Sequence, residues 1–154
     1  MHHLAIEWDA LVVEIVLFAV LIYGAVYLER WMENRKVRMQ DDKSRRQVIR
    51  FVTDDLNSRL RFIAESIHYR DFKPFFTDMW DSVILGGKQT LLPFPLFENL
   101  QHTYSWMKYY NNELDQKGRA VDEKEALELL GEVKKSIDDS LRMLEEANPG
   151  GPAK

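Results

Sequence analysis

The side chains whose types and spacing come closest to a metal site are Glu65-x-x-His68 and Glu98-x-x-x-His102. A carboxylate and an imidazole three apart share one side of a helix, the pairing used in carboxylate-bridged di-iron bundles. Those centres need two Glu-x-x-His pairs and further inward carboxylates. This chain offers one such pair, and Glu65 falls roughly 200° around its helix from Ile63, away from the apolar side. Glu65, His68, Glu98 and His102 are therefore weak metal candidates, and two solvated polar faces are the plainer reading. No cofactor is expected. Asp54-Asp55 and Asp78-x-x-Asp81 are carboxylate pairs of the kind used in acid–base work, but each is placed where a solvent face should lie beside an apolar stripe. Gly86-Gly87-Lys88 follows no strand and lacks the spacing of a phosphate loop, so it reads as a helix stop. The 154 residues include no cysteine, which excludes disulfides, thiolate metal sites and a cysteine nucleophile. No catalytic residue is assigned and no enzyme is expected.

The aromatic residues carry more information. Phe72, Phe75, Phe76 and Trp80 fall in one window, and Phe94, Phe97, Tyr104, Trp106, Tyr109 and Tyr110 in another. Aromatics at helical spacing belong in a core, and this is the expectation for Phe76, Trp80, Phe97 and Tyr104. Trp106, Tyr109 and Tyr110 cannot all share the stripe of Leu100, Tyr104 and Met107. Part of that set is expected outside, where binding surfaces hold their aromatics. Phe94, Trp106, Tyr109 and Tyr110 are accordingly candidates for contact with a partner.

What positions these residues begins with an apolar run from Ala10 to Leu28. Nineteen helical residues span roughly 28 Å, close to the hydrocarbon thickness of a bilayer. Trp8 stands before it and Tyr23, Tyr27 and Trp31 near its far end, as aromatic belts do. Residues 1–9 hold no Lys or Arg, whereas Arg30, Arg35, Lys36, Arg38, Lys43, Arg45, Arg46 and Arg50 follow the run. The bias predicts a single-pass protein of the cell membrane, with a short extracytoplasmic N-terminus (1–9), a transmembrane helix (10–28) and a cytoplasmic remainder. The n-region is not basic and no small-residue cleavage site follows, so the run reads as a permanent anchor. Its one charge, Glu14, either snorkels to the headgroups or faces a partner span, which adds it to the partner candidates. Arg30, Arg35, Lys36 and Arg38 are expected to meet anionic lipid headgroups rather than nucleic acid, because they lie beside the bilayer.

Residues 29–43 form a basic juxtamembrane stalk, with a break slightly favoured near 40–44, where Asp41 and Asp42 could cap a new helix. Residues 44–148 are expected to form one all-α cytoplasmic domain resembling a small four-helix bundle. Its first helix runs from Ser44 to Tyr69 with Ile49, Val52, Leu56, Leu60, Ile63 and Ile67 inward. Pro74 should open a short second helix ending at Gly86-Gly87, and Pro95 a third ending at Lys117-Gly118. Asp122 and Glu125 resemble a capping box for the last, whose Leu127, Leu130, Val133, Ile137, Leu141 and Leu144 repeat at helical spacing. The connection T-L-L-P-F-P-L-F is unusually apolar, and is expected either under the bundle or against a membrane or partner. Residues 149–154 read as a disordered tail.

In D-F-x-P-F-F-x-D-M-W (Asp71 to Trp80), L-F-x-x-L-x-x-x-Y (Leu96 to Tyr104) and Y-Y-N-N-E-L, the soluble part resembles small single-span microbial membrane proteins, archaeal ones included. The likeness covers about residues 45–115. It implies an N-terminal anchor with a helical cytoplasmic domain, and it implies no activity. Two functions are expected from these features. The first is an accessory or scaffold protein that binds a partner protein, or a second copy, at the cytoplasmic face. The second is a module that senses lipid or an apolar ligand at the inner leaflet.

Overall fold

A computed structural model describes residues 8–117 and 122–148. The expectations for residues 1–7, for Gly118 and for the tail at 149–154 lie outside the described residues. Among those described there is no strand, and the chain is all-helical. Helix α1 runs Trp8–Tyr69, α2 Asp78–Leu85, α3 Phe94–Lys117 and α4 Glu123–Ala147, with a 3-10 turn at Lys88–Leu91. The chain divides into two compact units, with the boundary between Asp42 and Lys43.

In the first unit the apolar run is helical, and Leu11–Leu28 is exposed along its whole length. By length and composition this one helix can cross a membrane. Glu14 is exposed on it. Arg30, Arg35, Lys36 and Arg38 are exposed on the same helix, and the Arg35 guanidinium lies 5.5 Å over the ring of Trp31. The break favoured near 40–44 is absent: α1 continues through Asp41 and Asp42. Two features of the sequence favour this. There is no Pro or Gly from Glu29 to Tyr69. Asp41 and Asp42 each stand four residues before an arginine, the orientation of acid and base that supports a helix.

The second unit buries one apolar cluster. It draws on Val48, Ile49, Val52, Leu56 and Ile63 of α1, Phe75, Trp80 and Val83 around α2, Leu92, Leu96, Leu100, Tyr104, Met107 and Tyr110 around α3, and Leu130, Val133, Ile137 and Leu144 of α4. Helix α1 ends where Arg70 turns into the left-handed region at φ 55°, and Arg70 then pairs with Glu123 at the start of α4 at 2.7 Å. Gly87, at φ 67°, makes the turn after α2 that a side chain would strain. Asp122 caps α4, accepting from the backbone N–H of Lys124 at 3.2 Å.

Two expectations fail around Pro74. The second helix begins at Asp78, not at the proline, and residues 71–77 are non-helical. The cause is Asn111 of α3. Its side-chain oxygen accepts from the Phe75 N–H at 2.6 Å, and its amide nitrogen donates to the Phe75 C=O at 2.7 Å. The Phe75 C=O, which a helix opening at Pro74 would offer to the N–H of Met79, is taken. Phe75 therefore enters the core at 4% exposure, and Phe76, expected inside, stands out at 69%. The apolar stretch expected to connect α2 and α3, whose second half proves to be the first turn of α3, divides in the same way. Leu92 and Leu96 are buried, Leu91 and Phe97 pack against the core, and Phe94 stays exposed.

Candidate functional site

Helix α3 sorts its side chains onto three sides. One side meets α4: Thr103 Oγ1 lies 2.7 Å from Ser136 Oγ and 2.8 Å from Ser140 Oγ, and Ser140 Oγ donates to Asn99 Oδ1. Asn99 opposite Ser140, with Thr103 reaching Ser136, sets the two helices running in opposite directions. A second side meets α1 and α2. The Tyr104 hydroxyl donates to Asp55 Oδ2 at 2.7 Å, Arg59 pairs with the other oxygen of Asp55, and Trp80 stacks on Tyr104 with ring centres 5.2 Å apart. Trp80 Nε1 donates to Gln101 Oε1 at 2.9 Å, and Lys108 pairs with Asp81 at 2.6 Å.

Asp55 is expected from its spacing on a solvent face, yet its side chain is only 9% exposed, and that of its partner Arg59 only 17%. Burial in the first place, then the adjacent Asp55 carboxylate, pushes the Tyr104 phenol well above its ordinary range. The hydroxyl is thus a fixed donor. Burial alone pushes Tyr110 up to about 12. The position of Asp55 four residues before Arg59 was the only signal for this network. Nothing in the sequence pointed to Tyr104 as its third member.

The third side of α3 faces outward. Here Trp106 Nε1 donates to His102 Nε2 at 2.9 Å, and the Trp106 ring meets the rings of His102 and Tyr109 edge-on, at 89° and 84°. His102, Ser105, Trp106 and Tyr109 line an open groove of about 330 Å³. Phe94 stands apart from this stripe, about 60° around the helix from Tyr109 and about 120° from Trp106, and its ring meets Phe97 instead. Of the four aromatic partner candidates, Phe94 is 66% and Tyr109 48% exposed, and Trp106 is half-buried. Tyr110 leaves the set. It is fully buried, edge-on to Phe75 at 5.2 Å, because one residue along a helix is a turn of about 100° and carries it from the outer side to the inner.

The metal candidates are not brought together. Glu65 and His68 are exposed near the end of α1, where His68 meets the Tyr69 ring. Glu98 is exposed, and His102 already accepts from Trp106. Among the described residues no three His, Cys, Asp or Glu side chains are grouped to hold a metal. Comparison with protein-family models, with curated proteins and with solved structures gives no match.

Proposed function

We propose that this is a membrane-anchored accessory or scaffold protein whose helical domain, a small four-helix bundle on the cytoplasmic side, binds a partner protein through the outer side of α3. The observation that carries this is the ordered aromatic groove. Trp106 is held by a hydrogen bond at one edge and by ring contacts on both sides, so little side-chain freedom is left to lose on binding. Large aromatics fixed at a surface are the usual anchors of an interface. The role is adhesion, not turnover.

Anchoring by Leu11–Leu28, with Arg30, Arg35, Lys36 and Arg38 at anionic headgroups, fits the exposure of these residues along α1. Glu14 is kept as a contact to a neighbouring span. Cross-linking in native membranes, followed by purification in mild detergent, tests the docking reading. The wild-type chain should carry a stoichiometric partner that the Trp106→Ala, Tyr109→Ala double variant loses. A chain that stays solitary, or a partner retained by the variant, refutes it. Protease added outside intact cells should leave residues 43–148 uncut if the orientation is right.

The second reading, contact with the inner leaflet, is favoured by Leu85 and Phe94, which stand 89% and 66% exposed on either side of the 3-10 turn. Vesicle binding that survives loss of the anchor and falls on Leu85→Ser would support it.

A further inference from the structure

We infer that the occupant of the α3 groove is an arginine-bearing segment of the partner protein, with the guanidinium laid on Trp106 and Tyr109; this rests on the docking reading above. Three observations converge on a cation. The groove is lined by rings held in fixed orientation, Trp106 edge-on to His102 and Tyr109, and a guanidinium over the face of such a ring is attracted by its quadrupole. Its planar shape also stacks where an ammonium does not.

The stripe also carries a carboxylate. Glu98 is exposed one turn before His102. The lysine nearest the groove on α3, Lys108, is turned to α2 and paired with Asp81.

The wider field has the same sign. Helices α3 and α4 together carry eleven Asp or Glu against six Lys or Arg, whereas α1 from Lys43 to Tyr69 carries three against six. A basic segment is therefore drawn to the α3–α4 side in particular.

The test uses the full chain in zwitterionic nanodiscs with its four tryptophans replaced by 5-fluorotryptophan, the Trp106 resonance being assigned from Trp106→Phe. The probes are a short amphipathic peptide of leucines with two arginines and the same peptide with citrulline in their place. Binding to empty nanodiscs is subtracted. The arginine peptide should shift the Trp106 resonance and bind about tenfold more tightly than its neutral twin. Glu98→Gln, a change at an exposed position, should narrow that gap several-fold. Equal binding of both peptides at Trp106 overturns the arginine assignment and leaves the docking reading standing. A Trp106 resonance that neither peptide moves also overturns the assignment, and the cross-linking experiment then decides the docking reading separately. A shift on raising protein concentration alone assigns the groove to a second copy of the chain and likewise overturns it.

Discussion

Replacing Asp55 with alanine should destabilise the second unit far more than replacing its neighbour Asp54, although the sequence presents the two as equivalent. Asp54 meets Arg50 at 4.0 Å with side chains 70% and 82% exposed, so water screens the pair and its loss should cost about 0–0.5 kcal/mol. Asp55 has two partners out of water. Removing it strands the Tyr104 hydroxyl, which has no other acceptor among the described residues, and leaves Arg59, whose side chain is 17% exposed and whose Nε has no partner among the described residues, without its carboxylate. Breaking a mostly buried pair by deleting one member costs about 3–5 kcal/mol, a large share of the roughly 5–15 kcal/mol that holds a domain together. Tyr104→Phe keeps the ion pair and removes one hydrogen bond to a charged group, for about 1.5–3 kcal/mol. The assay is urea unfolding of the full chain in mild detergent. Near-ultraviolet circular dichroism would follow Trp80, whose ring lies parallel to that of Tyr104 within 5°. The two variants share an interaction, so combining them should cost less than the sum. Equal midpoints for Asp55→Ala and Asp54→Ala would refute the buried network.

Asn111→Ala should cost about 2–4 kcal/mol, since two hydrogen bonds to Phe75 are lost together, and amide exchange at Phe75 should accelerate more than at residues of α4. Gly131 lies exposed within α4, where an added methyl meets nothing, so Gly131→Ala should stabilise by about 0.5–1 kcal/mol in the same unfolding assay. Tyr104 and Tyr110 hold their protons above the ordinary value of 10.0, Tyr110 to about 12, because the folded interior disfavours the phenolate. The contribution of Tyr110 to stability is whole below pH 10.0 and falls away as pH climbs through about 12, and that of Tyr104 declines over the same rise and beyond it. Absorbance titration should show a late tyrosinate fraction that appears together with unfolding, and that is smaller in Tyr104→Phe.

The amino-acid sequence by itself determined the helical class, the apolar helix long enough to cross a membrane and most of the packed stripe. Val52, Leu56, Ile63, Leu100, Tyr104, Leu130 and Ile137 are buried as spacing required, because apolar periodicity is a local property that a helix of fixed pitch reads directly. It also marked the outward turn of part of the Trp106–Tyr110 set, since three aromatics so close cannot share one stripe. Which of them turns outward was decided only by tertiary packing. Tyr110 fits against Phe75, and Phe75 is inside because Asn111, thirty-six positions away, holds its backbone out of a helix. The same holds for Asp55, whose partner Tyr104 lies forty-nine positions along the chain. Periodicity tells a side chain which way it faces on its own helix. What meets it there is set by chain segments that no local spacing connects.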